Sequence, residues 1–471
     1  MQTIKTDLLV IGAGSGGLSV AAGAAQMGAD VTLLEAGEMG GDCLNYGCVP
    51  SKALLAAAKA AHAQAEAARY GIADVAPQVD YDAVMAHVHG VIDQIAPVDS
   101  QERFEGLGVR VIRETGRFKD MDTVIAGDHE ITARRIVVAT GSSPFVPPIP
   151  GLETVPYLTN ESLWELRDRP EHLLIIGGGP IGLEMAQAHR RLGCKVTVIE
   201  AAKALSKDDP EAAALVLERL RAEGVDIIEG QGAKAVRGSA GAIEVETDGH
   251  IYRGTHILVA VGRRANIAAL DLPRAGVETT KTGIKVDDRL RTTNSKVFAI
   301  GDVTGGLQFT HVAGYQAGIV IQQALFAKPT RQSMSHIPWA TYTDPELAQV
   351  GLTEAQARDT HGDTLEVVRF DYHHNDRAIA ERRDTGWIKA MVVKGRPVGV
   401  TIVGAQAGDI AATWSLILAN RMKMSQVSAM VAPYPVVAEV TKRVAGAYFS
   451  PRLFDNEWVK RVVRTVQRWV P

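Results

Sequence analysis

Cysteine is scarce, with three in 471 residues, which excludes the disulfide-stapled scaffolds of small secreted proteins and suits a reducing, cytoplasmic setting. No run of ~18 or more strongly apolar residues occurs, so no transmembrane helix is expected. Excess charge is small: a formal net charge of -4 provides no broad positive field for a polyanion, and no nucleic-acid partner is expected. The composition that remains, 46% hydrophobic and 22% charged, is that of a folded globular chain, long enough for about three domains. The opening residues MQTIKTDLLVIGAGSGG resemble a weak signal peptide, but Lys5, Asp7 and the lack of a cleavage-like site favour a buried strand.

That strand, with Leu8, Leu9, Val10 and Ile11, leads into GAGSGG, a small-residue helix and a second strand from Val31 to Leu34. Gly12, Gly14 and Gly17 occupy the GxGxxG positions. There, missing side chains permit a tight turn, backbone approach to a pyrophosphate and close packing of helix on strand. Glu35 follows the second strand, placed to accept from ribose hydroxyls. The pattern recurs from Leu173 with Gly177, Gly179, Gly182 and Glu200, and in both copies the acid lies 23 positions after the first glycine (12 to 35, 177 to 200). Similar tails follow each copy, RRIVVATGSSP with Gly141 and THILVAVGRRAN with Gly262, so an internal duplication binding two nucleotides is expected. A further apolar strand, SKVFAI, ends in Gly301-Asp302. Its carboxylate either holds the sugar of a long dinucleotide or belongs to a plain turn, and spacing alone leaves both open.

Directly after Glu35 comes GEMGGDCLNYGCVPSK, where Cys43 and Cys48 enclose four residues at the start of an alanine-rich helix. Side chains five apart on a regular helix face different ways, so a bridge needs a distorted turn, which Gly47 could permit. Two unpaired structural thiols remain an alternative. The helix start and the nearby nucleotide loop favour reactive thiols, because the positive end of a helix dipole lowers a thiol pKa.

At these residues the sequence resembles the class I flavoprotein disulfide reductases, which include glutathione reductase, dihydrolipoamide dehydrogenase and mercuric reductase. GGDCLNYGCVPSK, ATGSSP, GGGPIGLE, GRRAN, AIGD and YTDPELAQVGLTE match in order across essentially the whole chain. The resemblance implies an α/β fold with two Rossmann-like dinucleotide-binding domains and an α+β C-terminal dimerisation domain. The FAD domain would span 1–155 and 266–337, the NAD(P)H domain 156–265, and the homodimer interface domain 338–471. It also implies that Gly12, Gly14, Gly17, Glu35, Gly141, Gly301 and Asp302 serve FAD, while Gly177, Gly179, Gly182, Glu200 and Gly262 serve the nicotinamide nucleotide. Cys48 would be the thiolate against the flavin and Cys43 the interchange thiol, with Lys52 near the flavin and Glu184 as its carboxylate partner. Without the resemblance, Lys52 and Glu184 read as an ordinary solvated lysine and a helix-start glutamate.

The sequence departs from the disulfide-handling members at VAPYPVVAE. Tyr434 takes the place of a proton-shuttling histidine, Pro435 that of its proline and Glu439 that of its glutamate. A tyrosine of ordinary pKa ~10 shuttles protons poorly at neutral pH beside a histidine of ~6.5, which puts thiol-disulfide exchange in doubt. The tyrosine and LQFTHVAGY are similar to the mercuric reductase branch. Even so, the first strand is expected from residue 3 with no metal-binding domain ahead of it, and no cysteine follows Cys194.

The expected function is electron transfer from NAD(P)H through FAD and a cysteine pair to a small thiophilic substrate, organic molecule or metal ion. A dihydrolipoamide dehydrogenase acting on a lipoyl protein and a redox-sensing flavoprotein are the alternatives. Glu200 predicts NADH over NADPH, since a carboxylate there repels a 2'-phosphate, although Lys203 could blunt it. Cys194 is expected to be a packing residue, Pro180 leaves no aromatic gate, and His373-His374 should diverge on a surface loop without binding a metal. The last segment forms a basic amphipathic helix, with Lys460, Arg461, Arg464 and Arg468 opposite Trp458, Val462, Val466 and Trp469. Packing onto its own dimer is the favoured role, with contact to a membrane surface the lesser alternative.

Overall fold

Alternation of short apolar strands with small-residue helices builds parallel sheets, and the computed structural model has two of them in its first unit. It describes residues 1–470; Pro471, the last residue of the expected C-terminal domain, lies outside the described residues. The chain divides into two compact units, one of Met1–Ala201 with Gly230–Ser333, the other of Ala202–Glu229 with the chain from Met334 onward.

In the first unit, the central strands Gln2–Ile11 and His129–Val138 run parallel along their whole length, from Gln2 opposite His129 to Ile11 opposite Val138. Val31–Leu34 and Arg110–Ile112 extend the sheet on one side in parallel register. On the other side His129–Val138 is shared. Its first half pairs antiparallel with Thr123–Ala126, and its end pairs parallel with Val297–Ala299. Leu9, Ile11, Val124, Ile131, Ile136 and Val297 are buried on one face of this sheet, while Leu8, Val10, Val31 and Leu33 pack under helices on the other. Burial on both faces is why these strands read as continuous apolar runs rather than alternating ones.

The second sheet repeats the scheme with Lys195–Glu200, His172–Ile176, His256–Val259 and Tyr157–Leu158, all parallel. The helices Ser15–Gln26 and Pro180–Arg191 leave the first strand of each sheet, and each starts from an extended glycine, Gly14 or Gly179. Both end before a glycine of positive φ, Gly28 at 91° and Gly193 at 94°, the usual left-handed stop.

The second unit is α+β. Its antiparallel sheet runs Pro338–Thr341, Glu346–Gly351, Arg396–Gly404, Trp387–Val393, Leu365–Asp371. Helices Ala407–Ala419 and Val440–Phe454 share a core with it that includes the fully buried Trp414 and Tyr372, whose polar atoms bond to Thr441 (3.2 Å) and the Ala405 carbonyl (3.2 Å). Among the described residues no helix is long and apolar enough to cross a membrane.

Candidate active site

The glycines of the two loops divide into three environments, repeated copy for copy. Gly12 and Gly177 have φ of 106° and 114°, and a Cβ on either would land on a carbonyl oxygen, of Ala139 or Ala260. A Cβ on Gly17 or Gly182 would strike the carbonyl of Gly12 or Gly177. At Gly14 and Gly179, by contrast, nothing lies within 4 Å of the Cβ position. The outer pair therefore makes the turn and seats the helix on its strand, and the middle glycine leaves open space in front of a helix N-terminus. That is the fit a pyrophosphate requires. Glu35 follows its strand and Glu200 is the last residue of its own, and each also organises its own loop. Glu35 accepts from the Ala13 amide (2.5 Å) and the Gly37 amide (2.7 Å), and Glu200 from the Gly178 amide (2.7 Å). A carboxylate has about four acceptor positions, which leaves capacity for a ribose.

The cysteine segment is fastened to the first loop. Gly40 bridges Gly14 in parallel fashion, its amide donates to the Ala13 carbonyl (3.0 Å), and a Cβ on Gly41 would lie 2.7 Å from the Gly14 Cα. Gly40 and Gly41, with φ of 88° and 61°, turn the chain into the short helix Gly41–Asn45, which carries Cys43. Gly47 then separates it from the helix Cys48–Ala65, whose first residue is Cys48. The pair thus sits across a break between two helices rather than on one.

Both cysteines are thiols, Cys43 half-buried and Cys48 exposed on one side with protein crowding the others. Their acidities are driven apart. The Cys48 thiol falls to about 6, first because Cys43 donates a hydrogen bond to it, then through the Thr310 hydroxyl, 3.6 Å from its sulfur, and the charge of Lys52. Cys43 is pushed far above the ordinary thiol value, because its proton is held in that hydrogen bond and its site is desolvated. Lys52, one turn beyond Cys48, pairs with the buried Glu184 on the helix Pro180–Arg191 at 2.8 Å.

Gly301, at φ 71°, donates to Gln316 Oε1 (2.7 Å) and turns Asp302 inward. There Arg263 Nε donates to Ser142 Oγ (2.7 Å), and Ser142 donates on to Asp302 (2.6 Å). Arg263 also pairs with Asp42 (2.9 Å), the neighbour of Cys43. Burial pushes the Asp302 carboxyl up. Gly141 and Gly262, at φ of 68° and 141°, are each followed by a member of this chain and leave open Cβ space. The sequence pointed to these glycines but missed Ser142, Arg263 and Thr310; the matching tails ATGSSP and AVGRRAN were the available signal for the first two.

In the second unit Tyr434 is 68% exposed, and its hydroxyl donates to Asp376 (2.6 Å). That hydrogen bond to a carboxylate holds the phenol proton and raises its pKa further. Glu439 pairs with Arg443 (2.9 Å). Cys194 is fully buried, its thiol pushed up to about 12 by desolvation, and Pro180 opens its helix. The His373 and His374 rings do not diverge. On the 3-10 turn Tyr372–His374 their centroids lie 4.0 Å apart, because contact between the two rings draws together side chains that a turn of roughly 120° per residue would separate. Among the described residues no group of three or more His, Cys, Asp or Glu side chains gathers to hold a metal ion.

Residues 6–317 match the pattern described as pyridine nucleotide-disulphide oxidoreductase, and residues 337–445 match the dimerisation domain of the same family. The chain is 34% identical over 447 residues to a mercuric reductase of Lysinibacillus sphaericus, covering 93% of this chain and 82% of the relative. It is also 34% identical over 464 residues to dihydrolipoyl dehydrogenase 3 of Haloarcula marismortui, covering 94% and 96%. Among solved structures, the Cu(II) complex of the HOCl-induced flavoprotein disulfide reductase RclA from Escherichia coli superposes with a TM-score of 0.83 at 28% identity, covering 93% and 99%. LpdA of Mycobacterium tuberculosis, at TM-score 0.86 and 24% identity over 94% and 99%, shares the fold.

Proposed function

Because the chain belongs to the pyridine nucleotide-disulphide oxidoreductase family, we propose that it passes two electrons from NADH, through FAD and the Cys43–Cys48 pair, to a small thiophilic substrate, organic or metallic. The observation that carries this reading is the placement of the two thiols, across a break between two helices that the Gly14–Gly40 bridge fastens to the first glycine loop, with the Lys52 cation one turn beyond Cys48. One cysteine held as thiolate at neutral pH beside another that keeps its proton is the reduced half of a dithiol-disulfide couple.

FAD, when bound, supplies two-electron transfer between nicotinamide and disulfide. The first-unit residues do the rest. Gly12, Gly14, Gly17 and Glu35 seat one nucleotide, with Ser142, Asp302 and Arg263 at its far end, and Gly177, Gly179, Gly182 and Glu200 seat the other. On this reading 1–155 with 266–337 serve FAD, 156–265 serve the nicotinamide nucleotide, and residues from 338 onward form the homodimer interface. Lys52, held by Glu184, presents positive charge beside Cys48. Cys43, once its proton passes along its hydrogen bond to the Cys48 thiolate, attacks or ligates the substrate as thiolate. The setting is cytoplasmic.

Tyr434 supports the substrate class. In the homodimer it stands where other members carry a histidine, and a phenol tied to Asp376 neither takes nor gives a proton readily at neutral pH. Soft metal ions and small thiophiles need no such shuttle, in keeping with the mercuric reductase relative and the Cu(II) complex of RclA. The dihydrolipoyl dehydrogenase relative motivates the competing reading, a lipoyl substrate. The test is steady-state turnover with NADH and NADPH against lipoamide, glutathione disulfide, Hg(II) and Cu(II), on the intact protein and Tyr434→His. Lipoamide turnover should be slow and rise at least tenfold in Tyr434→His, with NADH preferred. Fast lipoamide turnover by the intact protein, unimproved by the substitution, would overturn the substrate class, and a tenfold preference for NADPH would overturn the role of Glu200.

A further inference from the structure

The helix Glu457–Trp469 leaves most of its apolar face uncovered by its own chain, with only Val459 half-buried. No residue of it is buried, and Trp458 and Trp469 are 71% and 81% exposed. It is a separately started element, since the Asn456 side chain accepts from the Trp458 and Val459 amides at 3.0 and 3.3 Å. At about 100° per residue, Trp458, Val459, Val462, Val463, Val466 and Trp469 fall within an arc of roughly 140°. Lys460, Arg461, Arg464 and Arg468 occupy the opposite arc. Its one acid, Glu457, is already paired with Lys460 (2.8 Å).

We propose that this helix docks the enzyme on an anionic lipid surface, lying parallel to it with the tryptophan and valine face in the headgroup boundary. Three features favour lipid over a second copy of the chain. The two tryptophans lie on the same edge at opposite ends of the helix, about 17 Å apart, where ring bodies enter an apolar layer while indole N–H groups stay wet. The apolar arc is bordered by the uncharged polar Thr465 and Gln467, and just beyond them stand Arg461 and Lys460, whose long stems reach headgroup phosphates while the apolar face inserts. And the matched dimerisation domain ends at residue 445, before the helix begins.

Leu453 and Phe454, just ahead of the helix, are exposed as well. The chain carries a net charge of -4, so an anionic surface repels the protein as a whole and attracts this segment, which also sets the orientation of docking.

The test is co-sedimentation of the intact FAD-loaded protein with vesicles of phosphatidylcholine containing one third phosphatidylglycerol, and with phosphatidylcholine alone. The comparison set is Arg464→Gln with Arg468→Gln, Trp458→Ser with Trp469→Ser, and deletion of 457–471, each with NADH-dependent turnover and light-scattering mass measured in parallel. Each basic residue near an anionic surface strengthens binding roughly fivefold, so the double arginine variant should bind about 25-fold more weakly. The tryptophan variant and the deletion should lose binding while turnover and dimer mass persist. Absence of binding by the intact protein overturns the proposal, as does binding that survives the tryptophan substitutions. A deletion that turns dimer into monomer, with no vesicle binding by the intact chain, assigns the helix to the subunit interface instead.

Discussion

Replacing Cys43 by alanine should raise the pH at which Cys48 becomes a thiolate, and should do so more than removing the positive charge of Lys52. Cys48 ionises at about 6 rather than 9.0. At pH 7 the lower value leaves about 90% thiolate and the ordinary one about 1%, so the shift decides whether the site is armed. The largest lowering influence is the hydrogen bond from Cys43, followed by the Thr310 hydroxyl and then the Lys52 charge. Because the folded pKa is depressed, the thiolate is present above it and disappears as pH falls through about 6.

The expected order of upward shifts is therefore Cys43→Ala, then Thr310→Val, then Lys52→Met, the first moving the midpoint by at least one unit. Cys43→Ser keeps a donor and should stay lower than Cys43→Ala. The assay is the long-wavelength absorbance of the thiolate beside bound FAD, titrated from pH 4 to 10. A Cys43→Ala midpoint that stays near 6, or a larger shift from Lys52→Met, would refute the view that the partner thiol sets the acidity of this site.

The glycine environments predict opposite failures for neighbouring substitutions: Gly14→Ala and Gly179→Ala should fold normally yet lose at least tenfold in FAD retention and in NADH affinity respectively. Gly17→Ala, whose Cβ meets the Gly12 carbonyl, should instead lower stability by about 1–3 kcal/mol in urea unfolding, and equal effects of all three would contradict the division of roles. Lys52→Met removes the cation paired with the buried Glu184 carboxylate and should cost about 1–3 kcal/mol, discounted because Lys52 is 40% exposed, while adding Glu184→Leu should return part of it. A double variant less stable than Lys52→Met alone would show that the pair is not the source of the loss.

Much of this fold was legible because its signals are local. Both nucleotide loops announce themselves by glycines at fixed spacing, and each glycine has a single physical reason that holds within one strand, turn and helix. The second copy made the first believable: Gly17 and Gly182 meet the same backbone oxygen of their own loop, as the spacing requires. The buried parallel strands were equally plain, since Leu8 to Ile11 and Leu173 to Ile176 have no polar alternation. The basic helix Glu457–Trp469 was visible for the same reason, because its two faces separate at helical period.

What escaped the sequence depends on register between distant strands. Thr310 lies 262 positions from Cys48, and Ser142 and Arg263 lie 160 and 39 positions from Asp302. Nothing local marks a threonine at a helix start as a thiolate partner. It becomes one because Val297–Ala299 pairs beside His129–Val138, so that the chain leaving that strand enters the helix Thr310–Phe326 close to the cysteines.

This arrangement separates two kinds of constraint. The groups that set the acidity of Cys48 all belong to the first unit and hang on its sheets and loops: Cys43 through the Gly14–Gly40 bridge, Thr310 through its strand, and Lys52 through Glu184. Tyr434 belongs to the second unit, exposed, with Asp376 as its hydrogen-bond partner, so exchanging it disturbs no buried contact. The residues matched to the family are therefore the ones whose reasons are local, and they identify the family without naming its electron acceptor.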